Sequence, residues 1–174
     1  MDRGAIDVGR TKLASVIAKA LDLPGAIVGD GTELDKYRLS SEPGLLRDVA
    51  VLLASQLPAD VEVLAGMAIG GVPLAVALAL QTGLPWVLVR RVEDARTSGI
   101  AGGAVAGRRI VLVKDMARTG AAIQQAALRL RQAGGTVSHA AIGVAWHPDL
   151  AQVLAPAGLS PITAIAVTDL RKIW

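Results

Sequence analysis

The chain has 174 residues, a formal net charge of +3 and 52% hydrophobic residues, enough for one domain with a sizeable core. It contains no Cys, which excludes disulfides, thiolate zinc sites and cysteine nucleophiles; with no Phe, three Trp and one Tyr, its core is built from Ala, Val, Leu and Ile. The weak net charge, with neither like-charge blocks nor aromatic–basic interleaving, argues against nucleic acid as the main partner.

The opening MDRGAIDVGRTK carries charges of both signs and no apolar stretch, so no signal peptide is expected and the chain reads as cytoplasmic. Apolar residues at Leu13, Val16, Ile17, Ala20 and Leu21 predict a helix from Arg10 to Leu21, ended by Pro24 and Gly25. The polar run from Gly29 to Pro43 reads as a loop or short hairpin. A second helix follows Pro43, with Leu45, Leu46, Val49, Leu52, Leu53 and Leu57 on one side.

After Pro58 the pattern becomes a repeating unit of short apolar runs and helices. The runs are Val61–Ala65, Trp86–Val89, Ile110–Val113, Val137–Ala145 and Ile162–Val167. Helices are predicted over Pro73–Gln81, from about Thr119 to Ala133, and from about Pro148 to Ala155. Unbroken apolar strands alternating with helices predict an α/β fold: a parallel sheet of about five strands flanked by helices, with a small N-terminal helical hood. The division expected is a single domain over 1–174, with 1–58 as N-terminal helices and hood and 59–174 as the core sheet. Val63 to Leu80 holds 18 uncharged residues, but Gly66, Gly70, Gly71 and Pro73 make it a strand, a turn and a helix rather than a membrane span.

Right-handed crossovers put the loops after parallel strands on one edge, where such sheets bind ligands. In Ile110–Ala122, IVLVKDMARTGAA, a buried strand leads to an acid, then to Thr119-Gly120 and a helix. That arrangement offers backbone N–H groups and a hydroxyl to a phosphate, and a carboxylate to sugar hydroxyls. An ordinary strand–turn–helix with Thr119 as a cap remains open on these residues alone. In LAGMAIGGVPLAVALA, Gly70 and Gly71 precede a helix with Pro73 in its first turn. This suits an anion, or simply a tight strand-to-helix connection.

Together the two segments resemble the type I phosphoribosyltransferases, and most closely the orotate phosphoribosyltransferases among them. The first is similar to the family's motif for phosphoribosyl pyrophosphate: four apolar residues, two acids and a loop ending Thr-Thr-Gly. Ile110–Val113, Asp115, Thr119 and Gly120 match it; Lys114 replaces the first acid, Arg118 the first Thr, and Ala121-Ala122 the usual Gly-Ser or Gly-Thr. Met67, Ala68, Ile69, Gly70 and Gly71 resemble the family's pyrophosphate loop. The resemblance runs from about residue 29 to 170 and is strongest between 62 and 135.

What the resemblance implies is transfer of ribose 5-phosphate from phosphoribosyl pyrophosphate to a nucleobase, with orotate first, and release of pyrophosphate. Lys114, Asp115, Arg118, Thr119, Gly120, Ala121, Ala122, Arg90 and Arg91 would bind the phosphoribosyl donor. Asp115 and Arg96 would be the catalytic residues, Arg96 standing where the family's mobile loop carries a histidine and Asp94 where it carries a lysine. Around Glu93 and Asp94 a solvated loop of mixed charge is an equal reading. Trp146 and His147 stand near an Asp-Arg pair of the family and, with Tyr37, would bind the base; a Trp covering the sheet edge and a surface His are the alternative. For His139 the sequence identifies no partner, and a structural role is expected. The resemblance also implies magnesium carried by the pyrophosphate, no metal held by the protein, and a homodimer. The second function class left open is a binding or regulatory protein on the same fold, on the grounds of Lys114 and the altered loop. No G-x-G-x-x-G follows the first strand, which disfavours a nucleotide-binding oxidoreductase.

Overall fold

A computed structural model describes residues 3–21, 27–28, 33–34, 37–91 and 99–170. Helix α1 (Arg3–Leu21) is followed by the antiparallel pair β1 (Ile27–Val28) and β2 (Glu33–Leu34), then α2 (Arg38–Ser41) and α3 (Pro43–Ala54). The remainder runs β3 (Val63–Met67), α4 (Gly71–Thr82), β4 (Trp86–Val89), β5 (Ile100–Ala101), β6 (Arg109–Ala117), α5 (Ala121–Gln132), β7 (Thr136–Ala145), α6 (Leu150–Leu154), β8 (Ser160–Ala166) and α7 (Val167–Leu170).

The main sheet has the order β5-β4-β3-β6-β7-β8. Its last five strands are parallel, as expected, and β5 adds an antiparallel edge through Leu88↔Ala101 and Val89↔Ile100. That edge went unforeseen because two residues leave no periodicity to read.

Alternation along the strands divides the core in two. Leu64, Val111, Val113 and Ala141 join Leu13, Ile17, Val49, Leu53, Leu74 and Leu78 from α1, α3 and α4. Ala65, Ile110, Leu112, Ala140 and Ile142 join Ile123, Ala127, Leu130 and Leu154 from α5 and α6. Both cores consist of Ala, Val, Leu and Ile with Met67, while Trp86 and Trp146 are partly buried beside the first.

This division creates the site. From β3 the chain crosses through α4 to β4 on one side; from β6 it crosses through α5 to β7 on the other. The two crossovers therefore cover opposite faces, and the connectivity reverses between neighbours β3 and β6. A crevice opens at their carboxyl ends, where open α/β sheets hold ligands.

Several boundaries differ from the sequence expectation. Helix α1 begins seven residues before Arg10, at Arg3. Strand β6 does not stop at Val113 but continues to Ala117, because Lys114, Met116 and Ala117 pair with Ile142, Val144 and Ala145. Helix α5 starts at Ala121 rather than Thr119, since Gly120 has φ +72°, outside helical space. The uncharged stretch from Val63 is β3, a turn and α4; among the described residues no helix is long and apolar enough to cross a membrane.

Candidate active site

Asp115 is the buried charged residue of the sheet, 3% exposed near the carboxyl end of β6. One carboxylate oxygen, Oδ1, accepts a hydrogen bond from the Lys114 ammonium; the other, Oδ2, is buried without a hydrogen-bond partner. Lys114 is itself mostly enclosed, its side chain 17% exposed. Neighbours in a regular strand point to opposite faces, so this contact marks a local departure from alternation. Packing agrees: Met116 lies against the first core and Ala117 in the second, one step out of phase with Val113 and Leu112.

Glycines give the carboxylate its room. A Cβ on Gly70 would stand 1.8 Å from Asp115 Oδ2, and one on Gly71 would stand 2.5 Å from the Val113 carbonyl oxygen. The double glycine is thus a packing requirement first: it lets the turn into α4 lie directly on β6. Met67, Gly70 and Gly71 are buried, whereas Ile69 is exposed between them. The Ala68 N–H donates to the Val89 carbonyl at 2.8 Å, so the loop starts as an extension of the β3–β4 ladder. Gly143 on β7 completes the enclosure, because a Cβ there would come within 2.6 Å of the Asp115 carbonyl oxygen.

Beyond β6, Arg118 and Thr119 are exposed and Gly120 is buried against Val153 and Leu154. Thr119 does not cap α5. Gly120 is the N-cap and supplies no side-chain bond, so the alternative of Thr119 as a plain helix cap does not hold: the hydroxyl lies one residue too early. The first N–H groups of a helix have no partner within it. Those of α5, on exposed Ala121 and Ala122, open on the same sheet edge as the turn into α4.

Arg90 and Arg91 are exposed at the end of β4, beside β3. Arg129 of α5 donates from Nη1 to the Arg90 carbonyl at 2.9 Å, a brace between helix and strand end that the sequence reading missed. At the end of β7, the Trp146 N–H bonds the Ala117 carbonyl at 2.8 Å, and the half-buried indole packs on the first core. Half-buried His147 accepts the Asp149 N–H on Nδ1 at 3.1 Å, which leaves Nε2 for another partner. Tyr37 is 46% exposed at the start of α2. Arg96, with Glu93 and Asp94, lies outside the described residues.

The structure therefore brings together the Met67–Gly71 loop, Lys114, Asp115 and the Arg118–Ala122 turn, with Arg90, Arg91, Trp146 and His147 on neighbouring strand ends. Gly143 was also missed, although a lone glycine inside an apolar strand is a recognisable signal of close backbone approach. His139, for which the sequence identifies no partner, bonds through Nδ1 with the Ser138 hydroxyl at 2.9 Å. It lines a cavity of about 110 Å³ at the opposite edge of the sheet, where the Arg109 guanidinium is already held by Asp60 and Glu62.

Comparison with known proteins agrees with this geometry. No family model matches the chain. The orotate phosphoribosyltransferase of Halobacterium salinarum is 35% identical over 139 residues, 79% of each chain. That of Nocardioides sp. is 36% identical over 142 residues, again 79% of each. The chain belongs to the orotate phosphoribosyltransferase family. The fold agrees as well: the crystal structure of orotate phosphoribosyltransferase from Aeropyrum pernix superimposes with a TM-score of 0.75 at 28% identity, covering 92% of this chain and 97% of that one.

Within an orotate phosphoribosyltransferase framework, the Lys114–Asp115 pair is the departure that matters. Where the motif has two acids, this chain places an ammonium bonded to a single carboxylate. The pair is nearly neutral instead of doubly negative.

Proposed function

We propose that the chain transfers ribose 5-phosphate from phosphoribosyl pyrophosphate to orotate and releases pyrophosphate. The observation that carries this reading is the enclosed Asp115 carboxylate between the Gly70-Gly71 turn and the start of α5, at the crevice where the sheet's connectivity reverses. Family membership supports the donor and the acceptor.

In this reaction the bond from C1′ of the ribose to the pyrophosphate oxygen breaks, a ring nitrogen of orotate bonds to C1′, and the electron pair leaves with pyrophosphate. The transition state has oxocarbenium character, so catalysis consists of holding the sugar and receiving leaving-group charge. The N–H groups at the start of α5, Thr119 and Arg118 would bind the 5′-phosphate; Lys114, positioned by the buried Asp115 carboxylate, would meet the ribose and the first diphosphate oxygens. The Met67–Gly71 loop and the N-terminus of α4 would receive pyrophosphate, with Arg90 and Arg91 beside it. Arg96 is proposed as the cation that follows the departing charge. Trp146 would stack on the base, His147 Nε2 would donate to a carbonyl or carboxylate, and Tyr37 would cover the site.

The residues do not fit a metal held by the protein. Both Asp115 oxygens are enclosed, and among the described residues no group of three His, Cys, Asp or Glu could bind an ion. Magnesium enters only as a counter-ion that the diphosphate carries in. A cytoplasmic homodimer completes the proposal.

The test is incubation with phosphoribosyl pyrophosphate, magnesium and a panel of bases, following pyrophosphate release. Release with orotate is expected; no release with any base overturns the transferase. A second reading, a binding or regulatory protein, is favoured by the Lys114–Asp115 pairing alone. Thermal stabilisation by the donor without release would support it.

A further inference from the structure

We propose that Lys114 is a built-in counter-cation for the sugar diphosphate, so that this chain binds phosphoribosyl pyrophosphate with little dependence on divalent metal. The inference rests on the transferase reading and specifies what its donor site requires.

Two carboxylates side by side would give the end of β6 a charge of about −2, repelling a ligand that is itself a multiple anion. A cation would then have to accompany the ligand. The Lys114–Asp115 pair removes that repulsion within the protein. An ammonium has three donors and one is engaged with Oδ1, which leaves two for ligand oxygens.

The same pair offers a metal little. Magnesium favours carboxylate oxygens and retained water in a near-octahedral shell. Here Oδ1 is bonded to Lys114, and Oδ2 is buried against Gly70 with no room even for a methyl group between. A divalent ion close to this strand end would meet an ammonium instead of a free carboxylate. Arg90, Arg91 and Arg118 stand at the ends of β4 and β6, so cationic charge is already abundant there. Among the described residues, acids are found further along the edge: Asp149 after β7 is exposed, and Asp169 after β8 is bonded to the Ala166 N–H.

The experiment is calorimetric titration of phosphoribosyl pyrophosphate, without base, into the whole chain in excess Mg2+ and in EDTA. The parent Kd should change by less than about threefold between the two, whereas Lys114→Gln should weaken binding in EDTA by about tenfold or more and recover much of it with Mg2+. Lys114→Glu should depend on metal more steeply still. The glutamine variant is included because a second carboxylate beside buried Asp115 costs folding stability. Parent binding that requires Mg2+, or a Gln variant with the parent's Kd in EDTA, overturns the inference and leaves the transferase standing. No binding in any condition overturns both.

Discussion

A methyl group on Gly70 would lie 1.8 Å from a carboxylate oxygen of Asp115, and one on Gly143 would lie 2.6 Å from the carbonyl oxygen of the same residue. The two clashes differ in what can give way. Opposite Gly70 stands a side chain, which can rotate out of its place; opposite Gly143 stands a backbone carbonyl inside a paired strand, which cannot. Gly143→Ala should therefore act on stability, lowering it by about 1–3 kcal/mol in urea denaturation. Gly70→Ala should act on function, weakening phosphoribosyl pyrophosphate binding about tenfold or more by calorimetry, with a smaller loss of stability. The second outcome depends on the Asp115 carboxylate being where the site needs it. The sequence pointed to Asp115, Gly70 and Gly71, because an acid after an apolar run and a double glycine before a helix are local patterns. It did not reveal that Lys114 turns onto Asp115. That contact requires β6 to run on to Ala117 beside β7, and the pairing is set by a strand that lies beyond a whole helix.

Among the elements, α5 is tied down at the end away from the site. Arg131 in its last turn donates to the carbonyls of Val137 at the start of β7 and of Ala157 and Gly158 before β8, the Ala157 bond from Nη1 at 2.8 Å. One side chain thus satisfies three backbone acceptors, on β7 and on the turn before β8. Arg131→Met keeps the hydrocarbon stem and removes every donor. It should cost about 2–3 kcal/mol of stability, read as a lower urea midpoint, with donor Kd unchanged because the lost bonds lie at the opposite edge. The elements themselves were legible where apolar period and length agreed, as for β4, predicted and found at Trp86–Val89. Failures cluster where geometry comes from a partner: β5 exists through its pairing with β4, and the start of α5 is set by Gly120 wedging against α6.

At the scale of the whole molecule, the question is whether the N-terminal layer and the sheet form one cooperative unit, as the proposed single domain over 1–174 requires. Leu13 and Ile17 of α1 and Val49 and Leu53 of α3 occupy the same buried cluster as Val111 and Val113 of β6 and Ile162 and Ile165 of β8. Removing the layer would expose the outer side of α4 and one face of β7 and β8, so neither part has a complete core alone. Near-ultraviolet and far-ultraviolet signals should then follow one coincident urea transition, and the calorimetric and van't Hoff enthalpies should agree. The donor binds at the rim of the sheet, yet saturating it at about 100 times its Kd should shift that whole transition by about 2.7 kcal/mol. Two separate transitions, with only the later one responding to donor, would mean that 1–58 and 59–174 fold independently. The shared cluster would then be a contact between domains, and the N-terminal layer could be removed without loss of donor binding.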